Sequence, residues 1–267
     1  MRNKLGRKPV IWGPRLHFAK YANRSTIKLP DTKPLNIGYS NVVPGMLCNG
    51  PDLLNPPEIP YGIGCCFWAA AVRAAFARGV SIGKYQGHSL TEPWAVASVI
   101  EGYTGGAGFN INDPSNTDNG TDPDKGFAYL QKVGVKMPDG TYDKLGTPVA
   151  VNPRDWEEVL IAHNLFGGLY VGVQFPGDWE DAPIWDVSSS PIEGGHEICS
   201  LSDVGIDPAG IQIDTWGMSR IITPAALAQF CDQLTCVVDP AFFDPTSGKA
   251  INGFDAEQLR ADEAALT

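Results

Sequence analysis

The chain has 267 residues, of which 43% are hydrophobic and 19% are charged, a balance typical of a globular protein. No run of about eighteen apolar residues occurs, which excludes a transmembrane helix from the sequence. Residues 1–20 are basic but lack an apolar core and a small-residue cleavage site, so we expect no signal peptide and a cytoplasmic location.

Charge is strongly polarised along the chain. Residues 1–30 hold eight Lys and Arg and no acidic residue, whereas the remainder holds all thirty Asp and Glu. This basic arm could be a solvated tail, could fold back on its own acidic domain, or could dock onto an acidic partner. Its prolines disfavour a basic helix and therefore nucleic-acid binding. We expect docking onto a partner or sister subunit, with residues 1–40 as the arm, 41–240 as the main domain and 241–267 as a C-terminal extension.

Apolar residues recur with helical spacing in the first part of the chain and with strand patterns in the later part. Trp68, Val72 and Phe76 recur every four residues, which predicts a central helix over residues 67–78 that ends at Gly79. A stretch rich in Gly, Asn and Asp predicts a long surface loop over residues 104–124. Further helices are predicted near 93–101, 126–133, from 152 onward and over 254–266, and strands over 169–175, 197–204 and 210–216. This order predicts an α+β fold.

Two cysteines, Cys65 and Cys66, stand where a glycine-bearing loop meets the central helix. A helix N-terminus and a nearby imidazolium both lower the pKa of a thiol and make it nucleophilic. Two buried, inert cysteines would fit the same positions. Cys231 and Cys236 have the wrong spacing for a zinc knuckle and are expected to be packed thiols, so the sequence predicts neither a metal nor a cofactor.

A histidine and a carboxylate lie further along the chain, His196 after a pair of glycines and Asp214 just before Thr-Trp-Gly. Each alone is typical of an ordinary buried or strand-end residue. Two adjacent strands joined by a short turn would place them side by side, where the carboxylate could fix the tautomer of the imidazole. The combination therefore predicts a thiol nucleophile with its base and an orienting acid.

These motifs resemble those of papain-like cysteine peptidases. Gly64-Cys65-Cys66-Phe67-Trp68-Ala69 is similar to their nucleophile motif, Gly195-His196 to their histidine strand, and Asp214-Thr215-Trp216-Gly217 to their Asn-Ser-Trp-Gly motif. The resemblance implies a papain-like fold, in which a helix carrying the cysteine packs on an antiparallel sheet or barrel carrying the histidine and acid. It also implies Cys66 as nucleophile, His196 as base, Asp214 as orienting residue, and a peptide or protein substrate.

One departure from the family pattern concerns the oxyanion hole. Pro60 stands where these enzymes carry a glutamine that donates to the oxyanion, so Asn49 or Asn55 would have to replace it. Losing one such donor typically costs about two to three orders of magnitude in rate. Trp216 is expected to support the site.

The resemblance therefore leaves two hypotheses, a Cys-His-Asp peptidase or amidase and a catalytically silent papain-fold structural or binding protein. The Leu5-Gly6-Arg7-Lys8-Pro9 start and the chain as a whole resemble papain-fold proteins encoded by bacteriophages and prophages of actinobacteria. That resemblance implies a location in the bacterial host cell or the virion.

Overall fold

A computed structural model describes residues 5–10, 15–25, 62–81, 83–204, 210–216, 218–239 and 254–266. Its α-helices are α1 Cys66–Ser81, α2 Pro93–Ala107, α3 Pro114–Thr117, α4 Pro123–Lys132, α5 Trp156–Phe166, α6 Pro224–Phe230 and α7 Ala256–Leu266. Its strands are β1 Val135–Lys136, β2 Tyr142–Asp143, β3 Thr147–Ala150, β4 Leu169–Pro176, β5 Ile184–Trp185, β6 Ile192–Val204, β7 Gly210–Thr215, β8 Met218–Ile222 and β9 Cys231–Val238. Within these ranges, no helix is long and apolar enough to cross a membrane.

The central helix is confirmed, but it does not end at Gly79. Helix α1 continues to Ser81. A Cβ atom added at Gly79 would lie 2.2 Å from the ring of Tyr85. The glycine therefore serves close packing against an aromatic ring rather than termination of the helix.

The prediction of a long loop over residues 104–124 is only partly confirmed, because residues 108–113 and 118–122 alone lie outside helices. Helix α2 extends to Ala107, and the short helix α3 follows it. Cβ atoms added at Gly102 and Gly106 would lie 2.6 Å and 2.2 Å from the ring of Trp68. These glycines let α2 approach that indole, so the glycine-rich composition reflects packing here and not a turn.

A seven-stranded sheet forms the second half of the molecule, in the order β3-β9-β4-β6-β7-β8-β5. Neighbouring strands are antiparallel except for the β5–β8 pair. Side chains alternate between the faces of a strand. Accordingly, Tyr170 and Cys199 join the apolar cluster around α1, whereas Val171 and Ile198 join a cluster on the opposite face. The α+β prediction is confirmed, with α1 packed against β6.

The described part of the basic arm packs on the domain itself. Phe18 and Tyr21 lie in the apolar cluster away from α1, and Ala22 forms a β-bridge with Phe254 just before α7. Ion pairs also join the arm to the domain: Arg7 with Glu197 and Asp232, Arg15 with Asp124, Lys20 with Asp262, and Arg24 with Asp155, Glu157 and Glu158. These contacts fit the alternative in which the arm folds back on its own acidic domain. Docking onto a partner or sister subunit stays a prediction.

The five described cysteines, Cys65, Cys66, Cys199, Cys231 and Cys236, are buried. Cys231 begins β9 directly after α6, and Cys236 lies within β9. The prediction that these two are packed thiols at a helix-to-strand junction is confirmed. Cys48 lies outside the described residues.

Candidate active site

Cys66 is the first residue of α1, and its sulfur faces the sheet. The backbone N–H of Glu197, in β6, donates a hydrogen bond to Cys66 Sγ at 3.4 Å. Cys65 is fully buried in the apolar cluster around α1. Of the two neighbouring cysteines, Cys66 is therefore the one that contacts the strand of the predicted base.

The Cys66 thiol is held in its protonated form. Burial raises its pKa to about 11, because a thiolate loses its hydration there, and the carboxylate of Glu197 raises it further. Hydrogen bonds from the backbone N–H groups of Glu197 and Gly6 and the charge of Arg7 lower this pKa, but burial outweighs them. The sequence-based expectation of a lowered pKa at the helix start is thus wrong for this conformation.

His196 is fully buried on β6, and its ring stacks on Trp216 with centroids 4.6 Å apart. Nε2 shares a 2.7 Å hydrogen bond with Thr215 Oγ1. Nδ1 has no hydrogen-bond partner among the described residues. Burial, with the charge of Arg7 as a second cause, lowers the pKa of His196 to about 3, so the imidazole is neutral.

The ring and the thiol do not form a pair, because the His196 side chain lies on the face of β6 away from α1. The hydrogen bond from the Glu197 N–H to Cys66 Sγ places the thiol beside the main chain that directly follows His196. The ring, however, contacts Phe175 and Trp185 of the cluster away from α1. No hydrogen bond joins Sγ to the imidazole in the described site, because Nε2 is bonded to Thr215 and Nδ1 has no partner.

Asp214 does not contact His196, which corrects the predicted pairing. It forms an ion pair with Arg73 of α1 and accepts a 2.5 Å hydrogen bond from Ser219 Oγ. Asp214 pairs in register with Cys199 and faces α1, so the next residue, Thr215, faces His196. Because side chains alternate along a strand, the residue that bonds to the imidazole is Thr215, one position after the predicted Asp214. The contact of Thr215 with the imidazole could have been found only from the strand register.

The Arg73–Asp214 pair yields a prediction about stability, since both side chains are at most 3% exposed. Replacing Asp214 with alanine should lower the free energy of unfolding by about 3–5 kcal/mol, because it leaves a buried guanidinium unpaired. The double variant Arg73→Met/Asp214→Leu should recover most of that loss in urea denaturation. Arg24→Ala, which breaks a more exposed ion pair, serves as the control and should cost about 1 kcal/mol or less. Equal losses in the single and double variants would contradict the buried-charge explanation.

Trp216 stacks on the His196 ring and has an uncommon backbone conformation. Its φ is 49°, in the left-handed region that bulky residues rarely adopt. This conformation ends β7 and accompanies the near-parallel stacking of the indole on the imidazole, at 17°. The other predicted supporting residues, Asn49 and Asn55, lie outside the described residues, as does Pro60.

The arm segment of residues 5–8 lies across the site, which sequence reasoning missed. The N–H of Arg7 donates to Gly195 O at 3.0 Å, on the sheet side. On the α1 side, Thr121 N–H donates to Gly6 O at 2.7 Å and Lys8 N–H donates to Thr121 O at 2.9 Å. The segment is therefore an extended peptide bonded to both walls of a cleft, and it covers Cys66 between them.

Comparison with known proteins identifies this architecture. Xylellain, a cysteine protease from Xylella fastidiosa, matches 89% of this chain and 97% of its own with a TM-score of 0.64 at 14% identity. The fold is that of papain-like cysteine proteases. The ragweed pollen allergen Amb a 11, a cysteine protease solved in its proform, matches 80% of this chain and 67% of its own with a TM-score of 0.50 at 13% identity. No protein-family model matches the chain, and no curated protein matches it either.

The papain-like fold explains why the three motifs converge. It packs the cysteine-bearing start of α1 against β6, and it hydrogen-bonds β6 to β7, which leads to Thr215 and Trp216. Among the described residues, no group of three His, Cys, Asp or Glu could hold a metal ion. The chemistry this arrangement can perform is that of a thiol with a neighbouring imidazole.

Proposed function

We propose that the chain is a papain-like cysteine peptidase, with Cys66 as the nucleophile and His196 as the base. The observation that carries the proposal is the unpartnered Nδ1 of a neutral, buried His196, next to the amide that binds Cys66 Sγ. A general base needs a free lone pair that can reach the proton that it removes, so in this proposal the ring turns from the cluster away from α1 towards Cys66. With its proton on Nε2, held by Thr215, the ring has that lone pair on Nδ1.

In this proposal the reaction follows the usual course of a thiol peptidase. His196 Nδ1 takes the thiol proton, and Sγ forms a bond to the carbonyl carbon of the scissile peptide. The C–N bond then breaks as His196 delivers the proton to the leaving amine. Water, deprotonated by the same nitrogen, attacks the thioester, which releases the carboxylic acid and returns the proton to Sγ.

The site as described is the latent form of this enzyme. A substrate has to enter the cleft that residues 5–8 occupy, and the ring has to reach a thiol now buried beneath them. Departure of the segment admits water to Cys66 and removes Arg7, the charge that disfavours an imidazolium at His196. Water favours both charged groups of the thiolate–imidazolium pair, whereas the loss of Arg7 favours the imidazolium but removes a charge that lowers the pKa of Cys66.

The roles of the two residues at the end of β7 differ from those that the sequence suggests. Thr215 is the positioning residue for the ring, through its hydrogen bond to Nε2. Asp214 instead anchors α1 to β7 through Arg73, so it contributes to the relative position of the thiol and the ring. We propose this division in place of a direct Cys-His-Asp triad.

Selective alkylation tests the choice of nucleophile. In protein with residues 5–8 displaced, as in the Gly6→Ala variant, iodoacetamide should modify Cys66 about tenfold or more faster than any other cysteine near pH 8. Cys66→Ala should remove this fast phase, whereas Cys65→Ala should retain it, because Cys65 packs in the apolar cluster. Peptide mapping by mass spectrometry identifies the modified residue. Loss of the fast phase in Cys65→Ala would shift the assignment by one residue.

A silent papain-fold protein is the second candidate, favoured by the lack of a hydrogen bond between Cys66 and His196 among the described residues. The resemblance to phage-encoded papain-fold proteins supports a bacterial host cell or a virion as the setting for either function. Mass spectrometry of purified phage particles tests the virion location. A virion protein that shows no fast alkylation of Cys66 in any variant would support the silent alternative.

A further inference from the structure

The side chain of Arg7 enters a pocket in the sheet beside Cys66. Three neighbouring strands form it, since Gly172 of β4 pairs in register with Glu197 of β6 on one side and Gln233 of β9 on the other. Asp232, the second residue of β9, lies at the same place. The Arg7 side chain is completely buried there, so the pocket encloses a whole guanidinium.

Two carboxylates flank that guanidinium. Arg7 Nε lies 3.5 Å from Glu197 Oε2 and donates to the carbonyl oxygen of His196 at 3.3 Å, and a terminal nitrogen donates to Asp232. The amide of Gln174 donates to the other oxygen of Asp232 at 2.5 Å, which holds this carboxylate in place. Planar, forked donors between fixed acceptors are the arrangement for which arginine is best suited.

Glu197 is a buried acid whose charge depends on Arg7: burial raises its pKa to about 8, and the charge of Arg7 acts against that rise. It is 1% exposed, and neither of its oxygens has a hydrogen-bond partner among the residues the structure describes. Its only ion pair in that part of the chain is the one with Arg7. A buried carboxylate is costly unless an opposite charge accompanies it. When Arg7 leaves, Glu197 takes up a proton unless another cationic group enters the pocket and restores the ion pair.

The absence of a side chain at Gly172 keeps the pocket open. A Cβ atom added there would lie 2.7 Å from Glu197 Oε2 and 3.0 Å from Arg7 Nε. Any larger residue would fill the space that the guanidinium occupies. The glycine therefore gives the pocket its capacity for a long side chain.

We infer that this pocket is a specificity subsite for an arginine side chain of a peptide substrate. The inference rests on the proposed peptidase function and names the substrate class of the same cleft. Residues 5–8 already show how a peptide is held: main-chain hydrogen bonds to Gly195 and Thr121 fix an extended backbone while one side chain enters the pocket. Main-chain bonds supply affinity for any sequence, and the pocket supplies the selection.

The test is peptide binding to a full-length protein that cannot react. In the Gly6→Ala/Cys66→Ala variant the segment is displaced and the thiol is absent. The probes are a fluorescent peptide Leu-Gly-Arg-Lys-Pro-Val, the sequence of residues 5–10, and the same peptide with citrulline for its arginine. Citrulline keeps the shape and removes the charge. We expect the arginine peptide to bind about tenfold or more tightly by fluorescence anisotropy.

Matched charge variants test whether the preference for the arginine peptide depends on the carboxylates of the pocket. Asp232→Asn in the same protein should reduce it to about threefold or less, whereas Asp262→Asn, which removes a carboxylate bonded to Lys20 and Tyr21, should leave it unchanged. Arg7→Ala/Cys66→Ala provides a second protein with an emptied pocket, should Gly6→Ala unfold. Equal affinity for the two peptides, or no binding of either, in both proteins would overturn the subsite.

Hydrolysis separates this inference from the proposed function. Cleavage of protein substrates without preference for arginine would overturn the subsite and leave the peptidase. Arginine-selective binding without any hydrolysis by protein that retains Cys66 would support the subsite and overturn the peptidase proposal.

Discussion

Replacing Gly6 with alanine should raise the rate at which iodoacetamide alkylates Cys66 at pH 7 by about tenfold or more. A Cβ atom at this position would lie 2.0 Å from Gly64 O, a main-chain atom that cannot turn aside. We therefore expect the methyl group to displace residues 5–8 from the cleft. Cys66 then loses the burial that raises its pKa to about 11, and the pKa falls towards its ordinary value of 9.0. Each unit of that fall gives about tenfold more thiolate below the pKa.

The pH profile and a neighbouring variant make this test specific. Alkylation should rise with pH and level off near pH 11 in the native chain, but near pH 9 in Gly6→Ala. Lys8→Ala is the matched control, because Lys8 belongs to the same segment but its side chain is exposed, and it should behave like the native chain. Equal rates for all three proteins, with circular dichroism showing that each is folded, would show that the segment does not protect the thiol.

The helix that carries Cys66 and most of strand β6 could be predicted from the sequence, because both depend on local patterns. The predicted strand, residues 197–204, begins one residue after His196, whereas β6 begins at Ile192. Apolar residues four apart predict α1, and an apolar run after a glycine pair predicts β6. The resemblance to papain-like peptidases rests on short motifs at these same places, and the fold comparison agrees with it. Local periodicity and motif spacing thus sufficed for the fold class.

The partners of His196 and Asp214 could not be predicted, because they depend on strand register. A shift of one residue exchanges the two faces of a strand, and β6 and β7 pair with an irregularity between Cys199 and Ser202. Thr215 therefore meets the imidazole, and Asp214 meets Arg73. No pattern within either strand specifies that irregularity.

The position of the basic arm could not be predicted from the sequence either, since its charge pattern fits several partners. Eight positive charges predict an acidic surface but not which one. Arg7 finds its partners about 190 and 225 positions later in the chain, at Glu197 and Asp232. Only the folded sheet brings those two carboxylates together.

The second large effect expected is the loss of peptide hydrolysis when the thiol is removed. In the Gly6→Ala protein, Cys66→Ala should lower kcat/KM by about a thousandfold or more, because the thiol is the group that forms the acyl intermediate in the proposed reaction. His196→Ala should have an effect of similar size, since the thiol then has no base. Cys65→Ala should retain most of the activity, because its thiol packs in the apolar cluster around α1.

Hydrolysis of fluorescently labelled casein by Gly6→Ala protein, with and without Cys66, tests the peptidase proposal most directly. Casein presents many sequences, so this measurement does not depend on the arginine subsite. We expect steady release of labelled peptides by Gly6→Ala and release at the level of the buffer by Gly6→Ala/Cys66→Ala. Equal release by the two proteins, or none by a folded Gly6→Ala protein whose Cys66 alkylates rapidly, would contradict the proposal that Cys66 is the nucleophile of a peptidase.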